Sequence, residues 1–113
     1  MFCLDSSALL KTYFREPGAA AVDEILAGAI LVVTSSITWA EVHAAFGRQY
    51  REGTVRRQEL RRYMSDFRES WADFLVFDFT EDIRSLVPLL APTTPLKGAD
   101  LIHLVTAIRI PWP

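Results

Sequence analysis

The run Ile30-Leu31-Val32-Val33-Thr34 is continuously apolar or β-branched, with helix-forming sequence on both sides. A strand without polar alternation is covered on both faces, which is the situation of a central strand in a parallel sheet. Two further runs repeat the pattern: Met1 to Leu4, ending at Asp5, and Leu75-Val76-Phe77-Asp78-Phe79. Between the runs lie segments of helical character. Ser6 to about Arg15 has Asp5 or Ser6 as its N-cap and Pro17-Gly18 as its stop. Ala19 to Ala27 is Ala-rich and ends at Gly28, and a helix from about Thr38 to Tyr50 is broken at Gly53. This alternation predicts an α/β fold with a central parallel sheet, right-handed crossovers and flanking helices.

Downstream, Thr54 is a plausible N-cap for a long helix reaching about Asp73. Its residues Leu60, Met64, Phe67, Trp71 and Phe74 alternate steps of four and three, so they form one stripe on the helix and are assigned to the core. Thr80, Glu81 and Asp82 start another helix, which Pro88 interrupts. Pro92 and Pro95 stiffen a loop, and Lys97-Gly98 opens a last helix, about Ala99 to Arg109. The 113 residues show no repeats, low-complexity tracts or linkers, and are expected to form one domain, 1–113. Half of them are hydrophobic, which argues against disorder. A lone cysteine, Cys3, rules out a disulfide framework within the chain and fits a reducing, cytoplasmic setting. No apolar run approaches the roughly 20 residues of a membrane span, so no membrane partner is expected.

Three acids then stand out: Asp5 in FCLDSSALL, Glu41 in SSITWAEVHAAF and Asp100 in LKGADLIHLVTAI. Each is placed at or within the first turn of a predicted helix, where unsatisfied N–H groups and the helix dipole favour negative charge. Helices leaving one edge of a parallel sheet bring such residues together, and ligands bind at that edge. Clustered carboxylates repel one another unless a hard divalent cation is shared among them. Capping is the simpler explanation of each acid alone. Asp5 fits an N-cap, and Thr38-x-x-Glu41 fits a capping box in which Glu41 reaches back to the Thr38 amide.

The flanking residues carry a resemblance. LDSSALLK at 4–11, S-x-x-TWAEV-x-AAF at 35–46 and PLKGADLIHLVTAI at 95–108 resemble, in order and spacing, the three acidic motifs of PIN-domain ribonucleases, in particular the VapC-like toxins of type II toxin–antitoxin systems. The resemblance implies a PIN-like three-layer fold and a metal-dependent endoribonuclease. In that reading Asp5, Glu41 and Asp100 hold Mg²⁺ or Mn²⁺ and are the catalytic residues, with RNA as substrate, an antitoxin protein as partner and a homodimer as the expected assembly. Ser6, Ser7 and His103 are candidates to hydrogen-bond the ligands. The family continues past the last matched helix into a further strand ending in an acid, whereas this chain reads Arg109-Ile110-Pro111-Trp112-Pro113. The resemblance therefore implies a domain shortened at its C-terminus and lacking a fourth acidic ligand. The alternative function is a catalytically inactive PIN-like binding protein that retains antitoxin binding or dimerisation.

Net charge is −2, yet Arg48, Arg51, Arg56, Arg57, Arg61, Arg62 and Arg68 concentrate positive charge within residues 48–68. Such a stretch is either a solvated helix face or a phosphate-contacting surface. Arg48, Arg51 and Lys97 are the candidates for RNA contact. For His103, a core position or a hydrogen bond to one of the acids is the simpler reading, against a role as a direct ligand. A phosphotransfer receiver domain also carries an acidic pocket on a parallel sheet. Acids at helix starts after separate strands, and no suitable lysine after Leu75–Phe79, disfavour it.

Overall fold

A computed structural model describes residues 1–28 and 31–112. Ile30, assigned above to the second strand, and Pro113 lie outside the described residues. Among the described residues, ten helices and strands follow in chain order: β1 (Phe2–Cys3), α1 (Ser6–Phe14), α2 (Ala19–Gly28), β2 (Val32–Ser35), α3 (Ile37–Arg51), α4 (Arg57–Ala72), β3 (Leu75–Phe77), α5 (Glu81–Arg84), α6 (Val87–Leu90) and α7 (Gly98–Arg109). A 3₁₀ turn, Ala91–Thr93, joins α6 to the loop before α7.

The three strands form one sheet in the order β1-β2-β3, with both pairings parallel. Cys3 pairs with Val33, and Val33 with Leu75. Every residue of β2 is buried, as expected for a central strand covered on both faces. The polar pair Thr34 and Thr38 explains how the end of β1 is held. Thr34 Oγ1 donates to the Leu4 carbonyl at 2.7 Å and shares a 2.8 Å hydrogen bond with Thr38 Oγ1. A hydroxyl has one proton, so Thr38 is the donor to Thr34. The bond fixes the residue before Asp5 against the end of β2 and the first turn of α3.

The main core gathers Leu4, Leu9, Val22, Val32, Val42, Phe46 and Phe67. The α4 stripe lies against it, with Phe67 fully buried and Leu60, Met64, Trp71 and Phe74 packed around it. Burying a side chain the size of Phe46 or Phe67 contributes about 1.5–3 kcal/mol. Leu101, Val105, Ile83 and Ile110 are buried where α7 meets β2 and α5. No helix among the described residues is long and apolar enough to cross a membrane.

Several helix starts differ from the sequence expectation. α3 begins at Ile37, so Thr38 lies inside the helix and its hydroxyl is committed to Thr34 rather than to capping. α4 begins at Arg57 instead of after Thr54, because the chain turns at Gly53 (φ +79°) and the Thr54 and Val55 amides both donate to the Gln49 carbonyl. Glu59 caps that helix by accepting from the Arg56 amide at 3.2 Å. Pro88 sits in the first turn of α6, where its missing N–H costs nothing, so the break falls ahead of it at Ser85-Leu86.

Candidate metal and phosphate site

Asp5 is the N-cap of α1, and its Oδ1 accepts from the Ala8 amide at 2.9 Å. Capping and site placement are therefore one geometry: the bond that stabilises the helix also fixes the carboxylate at the carboxyl end of β1. Asp100 is in the first turn of α7, exposed, at the positive end of that helix dipole. The two acids line a single open cavity of about 600 Å³ between the β1–α1 junction and α7. His103 lies one turn after Asp100 and lines the same cavity, whose apolar wall includes Leu4, Leu104 and Ala107.

Glu41 is placed differently from the other two. Because α3 starts at Ile37, Glu41 falls in the second turn of the helix, and α3 carries no acid in its first turn. The capping-box reading fails for the same reason. Glu41 Oε1 instead accepts from Ser6 Oγ at 3.1 Å and lies 2.6 Å from His103 Nε2. The His103 side chain is only 10% exposed, against 31% for Glu41, so this pair is shielded from solvent competition. Glu41 does not itself line the cavity; it is joined to it through His103. Among the described residues, no three His, Cys, Asp or Glu side chains stand close enough to hold an ion as they are positioned. Two carboxylates on one cavity, with a third hydrogen-bonded to its wall, replace the expected three-acid cluster.

That donor set fits a hard divalent cation. Mg²⁺ is commonly held by one or two carboxylates, with waters and substrate phosphates in the remaining positions. The Cys3 thiol, also on the cavity, is held above its ordinary pKa, first by burial and then by the charge of Asp5. Cys3 and Asp5 are two residues apart at the end of a strand, a spacing that places them on one face. From the sequence, Cys3 excludes a disulfide framework and fits a reducing setting, and its place on this cavity is not legible there.

The remaining candidates divide. Ser6 is buried and bonded to Glu41, whereas Ser7 is exposed and lines both the acidic cavity and an adjoining depression of about 220 Å³ that contains Arg48. Arg51 lies on neither wall; its guanidinium folds back over Gly47, 3.3 Å from where a Cβ would stand. Lys97 is exposed at the N-cap of α7 and does not line the cavity.

A parallel α/β sheet with acidic residues at its carboxyl edge defines the class of the molecule. Residues 2–111 match the model of the PIN domain, and the chain belongs to the PIN-domain family. Two relatives are ribonuclease VapC45 and ribonuclease VapC49, from two strains of Mycobacterium tuberculosis. Each is 27% identical to this chain over 109 residues, covering 96% of the chain and 76% of the relative. Among solved structures, the fold matches a chain in VapBC2 from Rickettsia felis bound to a DNA fragment from their promoter. That match has a TM-score of 0.66 at 16% identity and covers 95% of this chain and 79% of the other.

Proposed function

We propose that this chain is a divalent-metal-dependent endoribonuclease of toxin type, hydrolysing RNA phosphodiester bonds and paired with an antitoxin protein. The observation that carries the reading is the shared cavity of Asp5 and Asp100, with Glu41 hydrogen-bonded to the elements that bear both acids. Family membership and the two relatives named as ribonucleases support the reaction class. The VapBC complex among the structural matches supports an antitoxin as partner.

Asp5 and Asp100 would hold Mg²⁺ or Mn²⁺, with Glu41 as the third acid of the site. The bound ion supplies a water of lowered pKa and neutralises charge on the phosphoryl oxygens. The protein's own part is positioning. The N-cap bond immobilises Asp5, while the N-termini of α1 and α7 offset the repulsion between the acids. Leu4, Leu104 and Ala107 form the apolar wall against which the acids stand. Arg48, in the adjoining depression, is placed to meet a neighbouring phosphate of the substrate strand.

The direct test is cleavage of single-stranded RNA by the purified chain in millimolar Mn²⁺ or Mg²⁺. Cleavage should stop with EDTA and fall by at least about 100-fold in Asp5→Asn and Asp100→Asn. Metal-independent cleavage, or cleavage untouched by Asp100→Asn, would overturn the mechanism. Antitoxin binding with no cleavage under any metal would select the inactive binding protein instead.

A further inference from the structure

Both elements that carry a cavity acid also carry a second polar residue bonded to Glu41. At the start of α1, Asp5 lines the cavity and the next residue, Ser6, donates to Glu41 Oε1. On α7, Asp100 lines the cavity and His103, one turn on, sits 2.6 Å from the same oxygen. The two bonds converge on Oε1 and neither uses Oε2. A carboxylate accepts only, so both partners are donors, and His103 carries its proton on Nε2. Ser6 is buried and the His103 ring nearly so. Neither is placed to make these bonds incidentally from a mobile surface position.

We propose that His103 and Ser6 are positioning residues that hold Glu41 by one oxygen, fixing α1 and α7 at the separation that lets Asp5 and Asp100 share an ion; the proposal rests on the metal-site reading above. Outer residues that orient a metal site characteristically contribute about 10- to 100-fold to metal affinity, and His103 and Ser6 act at that level through Glu41. A leucine at 103 keeps bulk but offers no donor. A glutamine can present an N–H to Oε1 from nearly the same distance along the side chain as His103 Nε2. Alanine and threonine make the corresponding pair at position 6.

The test is calorimetric titration of the full chain with Mn²⁺, with metal-free thermal unfolding alongside as a check on folding. Relative to the unmodified chain, His103→Leu is expected to raise the Mn²⁺ Kd by at least about 10-fold. His103→Gln should recover most of that loss. Ser6→Ala should weaken binding less, because it removes the longer of the two bonds, and Ser6→Thr should restore it. Wild-type affinity in a folded His103→Leu, while Asp100→Asn loses the ion, would overturn the positioning role and leave the metal site standing. Equal losses in His103→Leu and His103→Gln, both folded, would also overturn it, since they would make His103 a direct ligand. If the unmodified chain takes up no Mn²⁺, the metal-site reading falls and the positioning role with it. Should His103→Leu fail to fold, the Ser6→Ala and Ser6→Thr pair decides: equal affinities in both would reject the proposal.

Discussion

The region built by α1, α3 and α4 and the region built by α5 to α7 are held together in different ways. In the first, aromatic rings interlock. Tyr13 meets Phe46 edge-on at 5.0 Å, Phe46 lies 5.5 Å from Tyr63, and Phe67 lies 5.5 Å from Trp71. Phe46 and Phe67 are wholly buried. In the second, the helices are short or marginally covered, with Leu89 71% and Ile108 52% exposed. There α7 is tied down by a smaller apolar patch, by the His103–Glu41 bond and by an exposed Arg109–Asp82 pair at 3.2 Å. Exposed pairs of that kind contribute little. Stability is thus concentrated away from the cavity, and the acids stand where the two regions meet. The open cavity that carries the two acids is not packed like the aromatic core.

Breaking the rigid half should have the largest effect. Phe67→Ala removes a fully buried ring from the middle of the cluster and should destabilise the fold by about 3–5 kcal/mol in denaturant titration. A cost under about 1 kcal/mol would mean the aromatic region is not where stability lies. At the junction the contrast sharpens. Asp5→Ala should cost about 1 kcal/mol through loss of the α1 cap, whereas Asp5→Asn should cost almost nothing, because asparagine caps equally well. Equal destabilisation of the two would show that the carboxylate charge, not the cap, steadies this end of α1. Asn at this position therefore separates helix stability from the proposed metal binding.

The smallest effect should be confined to alkaline solution. Burial, then the nearby charge of Asp66, pushes the Tyr13 hydroxyl up from 10.0 to about 12. A phenol whose folded pKa is raised keeps its contribution below the unfolded value and loses it as pH climbs toward the folded value. Thermal stability should therefore fall between about pH 10 and about pH 12, and Tyr13→Phe should flatten part of that decline. An identical alkaline profile in Tyr13→Phe would place the titrating group elsewhere.

How much of this was legible in the sequence follows from how far each signal reaches along the chain. The β2 run and the Leu60–Phe74 stripe are local signals: the strand is found at Val32–Ser35, one residue past the expected end, and the stripe packs on the core although α4 ends at Ala72, ahead of Phe74. The Asp5 cap needs only three following residues and is equally local. Glu41 is the contrary case. Its spacing from Thr38 matches a capping box, but Thr38 spends its hydroxyl on Thr34 across the end of β2, and the helix starts earlier than the box requires. Its actual partners, Ser6 and His103, are 35 and 62 residues away, beyond anything spacing can encode. The shift of α4 to Arg57 has a similar origin, in a turn anchored on Gln49.

Those sequence separations also set an order of events in time. Cys3 pairs with Val33, 30 positions on, and Val33 with Leu75, 42 positions on, so each parallel pairing must close a long loop before it gains anything. The α3–α4 hairpin and its aromatic contacts are local and can form while synthesis continues. The cavity cannot, because its two acids stand at positions 5 and 100. At roughly 5–20 residues per second, the second carboxylate follows the first by about 5–20 seconds. Over that interval the chain carries only one of the two cavity acids, and the acidic cavity is complete only when α7 arrives.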